Sequence, residues 1–145
     1  MEELYAELLL WYAGFHSSER YDALLDEKFM NNPENKLYLE LEECSSNLLD
    51  SIGRFSRYWD DAHSEFDKDT FGKRLFSGLK ATYNANNFEI LKFGNRCYKL
   101  WQMLPDNIYQ TEPFHTLSYA DDPLLSWGDE AQTRELYERA FSYYC

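Results

Sequence analysis

The chain has 145 residues, 26 acidic against 14 basic side chains, a net charge of −12, and 18% aromatic residues. So rich an aromatic supply excludes a disordered acidic tail, and the negative field opposes direct nucleic-acid binding, where Lys and Arg must replace phosphate counterions. No Val, three Ile and five Thr stand against twenty Leu, which excludes a strand-rich fold and points to an all-α one, in a single domain at this length.

Leu4, Leu8, Trp11, Tyr12 and Phe15 recur at helical steps and predict a first amphipathic helix ending near residues 14–17. Ser18 is placed to cap a second, which carries Tyr21, Leu24, Leu25 and Phe29. Asn31-Asn32-Pro33 breaks that helix and opens a third, because proline tolerates a first turn. Leu37, Leu41, Cys44, Leu48, Ile52, Phe55 and Trp59 then keep steps of three and four. They predict one helix from Glu34 to Trp59, on the order of 36–39 Å long at 1.5 Å per residue, with a bend at Ser45-Ser46 or Gly53. Glu40, Glu43, Asn47 and Asp50 fall on its other side.

The polar stretch 60–70 predicts a turn, followed by a fourth helix with Phe71, Leu75, Phe76, Leu79 and Tyr83. Asn84-Ala85-Asn86-Asn87 interrupts the pattern before a fifth helix with Phe88, Leu91, Tyr98, Trp101 and Leu104 on its apolar face, ended by Pro105. Residues 105–128, with three prolines and no sustained period, predict a long loop whose Tyr109, Phe114, Leu117, Tyr119 and Trp127 close over the helices. Asp129 with Gln132 three residues on predicts a capped last helix, with Leu136, Tyr137, Ala140, Phe141 and Tyr144 inward. The expected architecture is an all-α bundle or orthogonal array of about six helices over 1–145, with one long loop near 105–128.

The charge is unevenly spread. Residues 1–66 carry fifteen acidic and five basic side chains, 67–104 three and seven, and 105–145 eight and two. The basic block of Lys68, Lys73, Arg74, Lys80, Lys92, Arg96 and Lys99 is expected to pair with the acidic third helix or with a neighbouring subunit. Cys44, Cys97 and Cys145 form no CxxC pair, so neither a disulfide framework nor a zinc knuckle is indicated. No run of eighteen apolar residues occurs, and Glu2 and Glu3 stand where a signal peptide would be positive, so no membrane contact and a cytoplasmic location are expected.

Signs of catalysis are lacking. GxSxG, P-loop, GxGxxG, EF-hand and HExxH patterns are absent, and His16 and His115 stand alone, without spacing to a nucleophile. Asp60, His63 and Glu65 could offer metal ligands, but one His among acids reads better as a solvated helix end. The expectation is a non-enzyme with no cofactor and no metal. The candidate partner-binding face is Glu40, Glu43, Asp50, Asp60, Asp61 and Glu65, with Tyr58 as an aromatic anchor.

The run from Asn32-Pro33-Glu34-Asn35-Lys36 through Leu39-Glu40-Leu41-Glu42 and Cys44-Ser45-Ser46 to Leu49 resembles a segment of small bacterial immunity proteins. These accompany polymorphic or contact-dependent growth-inhibition toxins. The resemblance covers about twenty of the 145 residues. It implies an acidic helical protein that binds a cognate toxin domain, commonly a nuclease with a basic cleft, and blocks it by stoichiometric contact. Complementary charge would speed such association. Competing readings are an acidic nucleic-acid mimic that occupies another nucleic-acid-binding protein, a non-catalytic scaffold subunit or homodimer, and an enzyme assembled from dispersed acids and His63.

Overall fold

Seven consecutive buried residues, Leu4 to Leu10, make helix α1 (Glu2–Tyr12) the centre of the molecule. A helix buried all round belongs to a core, whereas a surface helix keeps a polar face. Periodicity alone identifies Leu4 and Leu8, but Tyr5, Ala6, Leu9 and Leu10 are enclosed as well. Around α1 pack α2 (Ser18–Asn31), α4 (Leu48–Ala62), α5 (Lys68–Asn84) and α6 (Ile90–Trp101). The remaining segments are α3 (Lys36–Glu43), α7 (Thr116–Tyr119), α8 (Asp122–Trp127) and α9 (Glu130–Phe141).

This computed structural model describes residues 1–62, 66–85 and 89–145. Among them the fold is all-α and holds nine helical segments, eight of six residues or longer, where about six are expected. No helix among the described residues is long and apolar enough to cross a membrane.

One of the extra segments comes from the expected long third helix, which is broken into α3 and α4. Cys44 leaves helical geometry at φ −116° and ψ 22°. The short polar side chains that follow capture the backbone, as Ser and Asn do outside helix interiors. Asn47 Oδ1 accepts the Asp50 N–H at 3.0 Å, capping α4, and the Ser51 hydroxyl lies 3.1 Å from the Cys44 carbonyl and 2.9 Å from that of Asn47. The helix entry shifts too, because Asn35 caps α3 through Leu37 and Tyr38 N–H while Pro33 stays outside. Along a straight helix Glu40 and Arg54 would sit about 21 Å apart. Here they form an ion pair at 3.5 Å, so the chain turns a corner. The seam survives the break, with Leu37, Leu41, Cys44, Ile52 and Phe55 all buried.

The expected loop at 105–128 is also structured. It contains α7 and α8, preceded by turns in which Tyr109 and His115 donate to the carbonyls of Pro105 and Thr111. Pro123 sits in the first turn of α8, where it disturbs nothing. Of the five expected anchors Phe114 and Leu117 are buried and Tyr109 and Tyr119 half-buried, but Trp127 is 80% exposed, against expectation.

Helix α6 presents a different face from the one expected. Phe93, Gly94, Cys97 and Leu100 are buried, whereas Leu91 is 52% and Tyr98 42% exposed. The reason is a close approach. A Cβ on Gly94 would stand 2.9 Å from the Asp121 Cβ, so the turn before α8 packs directly on that glycine. Phe93 then meets Tyr137 edge-on, with centroids 4.9 Å apart at 88°. Helix α9 follows expectation: Asp129 accepts the Gln132 N–H at 3.0 Å, Tyr137, Ala140 and Phe141 are buried, and Leu136 and Tyr144 are half-buried.

Three members of the basic block turn to α1 and the turn that follows it. Arg74 pairs with Glu3 and Glu7 of α1, the Arg96 guanidinium donates to the Gly14 carbonyl at 2.7 Å, and the Lys99 ammonium lies 4.5 Å from the centre of the Tyr12 ring. Glu40 and Asp50 instead take Arg54, from α4 itself.

Candidate functional site

Burial of Leu37, Tyr38 and Leu41 turns Leu39, Glu40 and Glu43 outward on α3. Leu39 stays 47% exposed between the two acids. Glu40 Oε2 and Asp50 Oδ1 converge on Arg54, at 3.5 Å from Nη1 and 3.7 Å from Nε. The same corner holds a cleft of about 480 Å³ whose lining includes Lys36, Glu40, Arg54, Arg57 and Tyr58. Tyr58 packs edge-on against Trp59 at 4.8 Å. Of the expected partner-binding residues, Glu40, Asp50 and Tyr58 are thus brought together, and Glu43 flanks them. Asp60 is exposed but lines a separate cleft with Tyr5, Ser56 and Phe66. The Asp61 side chain and the whole of His63 and Glu65 lie outside the described residues.

A carboxylate cluster that sequence reasoning missed lies beside this corner. Asp22 and Asp26 are one turn apart on α2 and face Glu42 of α3. Burial pushes the Glu42 carboxyl up to about 7, helped by a hydrogen bond to Asp26 and by the charges of Asp26 and Asp22. Burial and the Asp26 charge also raise Asp22. The Asp22 Oδ1 atom is sealed from solvent with no hydrogen-bond partner. The sequence signal was available in part, since Asp22 and Asp26 are like charges at i and i+4. Glu42 joins them only because α2 packs on α3.

The opposite arrangement occurs between α1 and α5. Glu7 is 2% exposed, yet its carboxylate is fully partnered. Arg74 Nε donates to Oε1 at 2.9 Å, and His16 Nδ1 donates to Oε2 at 2.9 Å. Burial alone would raise the Glu7 pKa, but the bonds and charges of His16 and Arg74 outweigh it and hold the carboxyl below its usual range. His16 is therefore not the solitary loop residue that its sequence neighbours suggest. Beside it opens a cleft of about 560 Å³, with Arg20, Lys73, Arg74 and Ser77 in its lining.

Cys44 and Cys97 are buried and Cys145 is exposed, all as free thiols. Burial, with the Asp121 charge behind it, drives the Cys97 thiol well up and leaves it unreactive. Among the described residues no group of three or more His, Cys, Asp or Glu side chains is arranged to hold a metal ion.

No family model, no curated protein and no solved structure matches this chain. Its functional reading rests on its own geometry and on the short resemblance at residues 32–49.

Proposed function

We propose that the protein is an immunity-type inhibitor: a cytoplasmic, non-catalytic protein that neutralises a cognate toxin domain, a basic nuclease, by direct contact through its α2–α4 corner. The observation that carries this reading is the crowding of Asp22, Asp26 and Glu42, with no ion pair to any of the three among the described residues. Charge held this way opposes the fold at neutral pH, and cations from a partner would relieve it. Sites that trade stability for function commonly have this character. Outside the cluster, Glu40, Glu43 and Asp50 extend the negative surface, and Leu39 and Tyr58 supply the apolar contacts on which interface affinity concentrates. A nucleic-acid mimic would need an unbroken row of carboxylates, and Lys36, Arg54 and Arg57 interrupt this one.

The test is protection. A toxin gene should lie immediately upstream, cells expressing its C-terminal domain should survive when this protein is co-expressed, and the two chains should co-elute on gel filtration. Loss of protection with no complex on the column would sink the proposal.

A further inference from the structure

The α1–α5 cleft runs against the charge of the molecule that carries it. In a chain of net charge −12, its lining brings Arg20, Lys73 and Arg74 against only Glu3 and Glu7. Glu7 is already satisfied by Arg74 Nε and His16 Nδ1, and those two bonds hold the guanidinium and the imidazole in place. Arg20 and Lys73 are exposed and make no ion pair within 4.0 Å among the described residues, although the Lys73 charge helps to hold the Asp67 carboxyl low. His16 Nε2 takes no hydrogen bond among the described residues, which leaves it as the ring nitrogen available to a guest.

The wall of the cleft is one face of α5. Thr70, Lys73, Arg74, Ser77, Gly78 and Ala81 follow the helical steps i, i+3, i+4, i+7, i+8 and i+11. Apart from its two cations this face carries only small side chains, and Ser77 and Ala81 are open to solvent. Gly78 is required by the close approach of α1 and of the connection after it, since a Cβ there would stand 2.6 Å from Leu10 Cδ1 and 3.1 Å from His16 Cε1. Planar Arg forks and a mobile Lys with a hydroxyl nearby suit a group that bears more than one negative oxygen. The volume of about 560 Å³ falls within the roughly 300–1,000 Å³ of small-molecule sites.

We propose that this cleft is a phosphate-binding site, in which Arg20, Lys73, Arg74 and the Ser77 hydroxyl grip the phosphate group of a small molecule and any attached body extends along α5 past the exposed Ser77 and Ala81. The site shares no residue with the acidic corner, so it stands or falls apart from toxin binding.

Isothermal titration calorimetry at low salt, with inorganic phosphate, AMP, a hexose 6-phosphate and adenosine as probes, tests it. A phosphate-bearing probe should bind saturably at one site per chain, and adenosine should not bind. Tighter binding of AMP or the hexose phosphate than of inorganic phosphate identifies an organic ligand; equal binding identifies the free ion. Arg20→Ala and Lys73→Ala should each weaken binding by about 10-fold, the scale of one hydrogen bond to a charged group, with helical circular dichroism unchanged. Arg74 is left intact because it also satisfies buried Glu7. Absence of saturable binding by every phosphate probe overturns the proposal, as does binding that is unmoved in the Arg20→Ala/Lys73→Ala double variant.

Discussion

The α1–α5 cleft and the α2–α4 corner treat the same chemical group in opposite ways. Glu7 is the most deeply buried acid of the two regions, yet both its oxygens are hydrogen-bonded to cation-forming side chains and its carboxyl is held below the usual range. Glu42 is less enclosed, but its neighbours are other acids and its carboxyl is pushed up to about 7. Burial acts in the same direction on both. Partners, more than depth, decide whether a carboxylate supports a fold or strains it.

The largest way to break this comparison is to remove Arg74. Arg74→Ala leaves the enclosed Glu7 without one of its two partners, and should cost about 3 kcal/mol in urea unfolding. A loss comparable to that of an exposed pair would show that Glu7 does not depend on the guanidinium. The pH profile gives the second test, because the two regions tilt it in opposite senses. Glu7 has a depressed folded pKa, so its contribution is present above the unfolded value near 4.5 and disappears as pH falls through the folded value. Glu42 has a raised folded pKa, so the native state binds the extra proton and stability declines as pH rises from about 4.5 to about 7. Glu42→Gln should flatten that decline and raise stability at pH 8 by about 1 kcal/mol, after allowance for solvent screening. A variant that tracks the wild type between pH 4.5 and 8 would remove the strain from the corner.

A third, smaller effect concerns the corner itself. Asn47→Ala removes the α4 cap and should cost about 1 kcal/mol. If thermal melting shows no change, the break between α3 and α4 is held elsewhere. The smallest effect is expected at Glu40→Gln, whose pair with Arg54 is exposed; its melting temperature should match that of the wild type.

Legibility in the sequence followed element length and the range of each contact. The α9 cap needs only Asp129 and Gln132, three residues apart, and it is where the sequence places it. The α3–α4 break escaped because its short turn returns Leu48, Ile52 and Phe55 to the side already occupied by Leu37 and Leu41, so the apolar steps continue as though the helix did. Helices α7 and α8 are too short to show a period. On α6 the inner face contains Gly94 and Cys97, which attract less notice than the exposed Leu91 and Tyr98. The Glu40–Asp50–Tyr58 part of the acidic face was local enough to find. Glu7, His16 and Arg74 were not, since Arg74 lies 67 residues from Glu7 and only packing of α5 on α1 joins them. Even so, the cations and small residues from Thr70 to Ala81 lie at plain helical spacing.

The central functional claim is that the acidic corner meets a basic partner, and the association rate tests it most directly. Stopped-flow mixing with the basic domain that the proposed function calls for, repeated across salt concentrations, should give a rate that falls steeply as salt rises. Glu40→Lys/Glu43→Lys should slow association by about 10-fold or more at low salt, with helicity unchanged. A rate that is indifferent to salt and to both charge reversals would contradict the assignment of the interface to this corner.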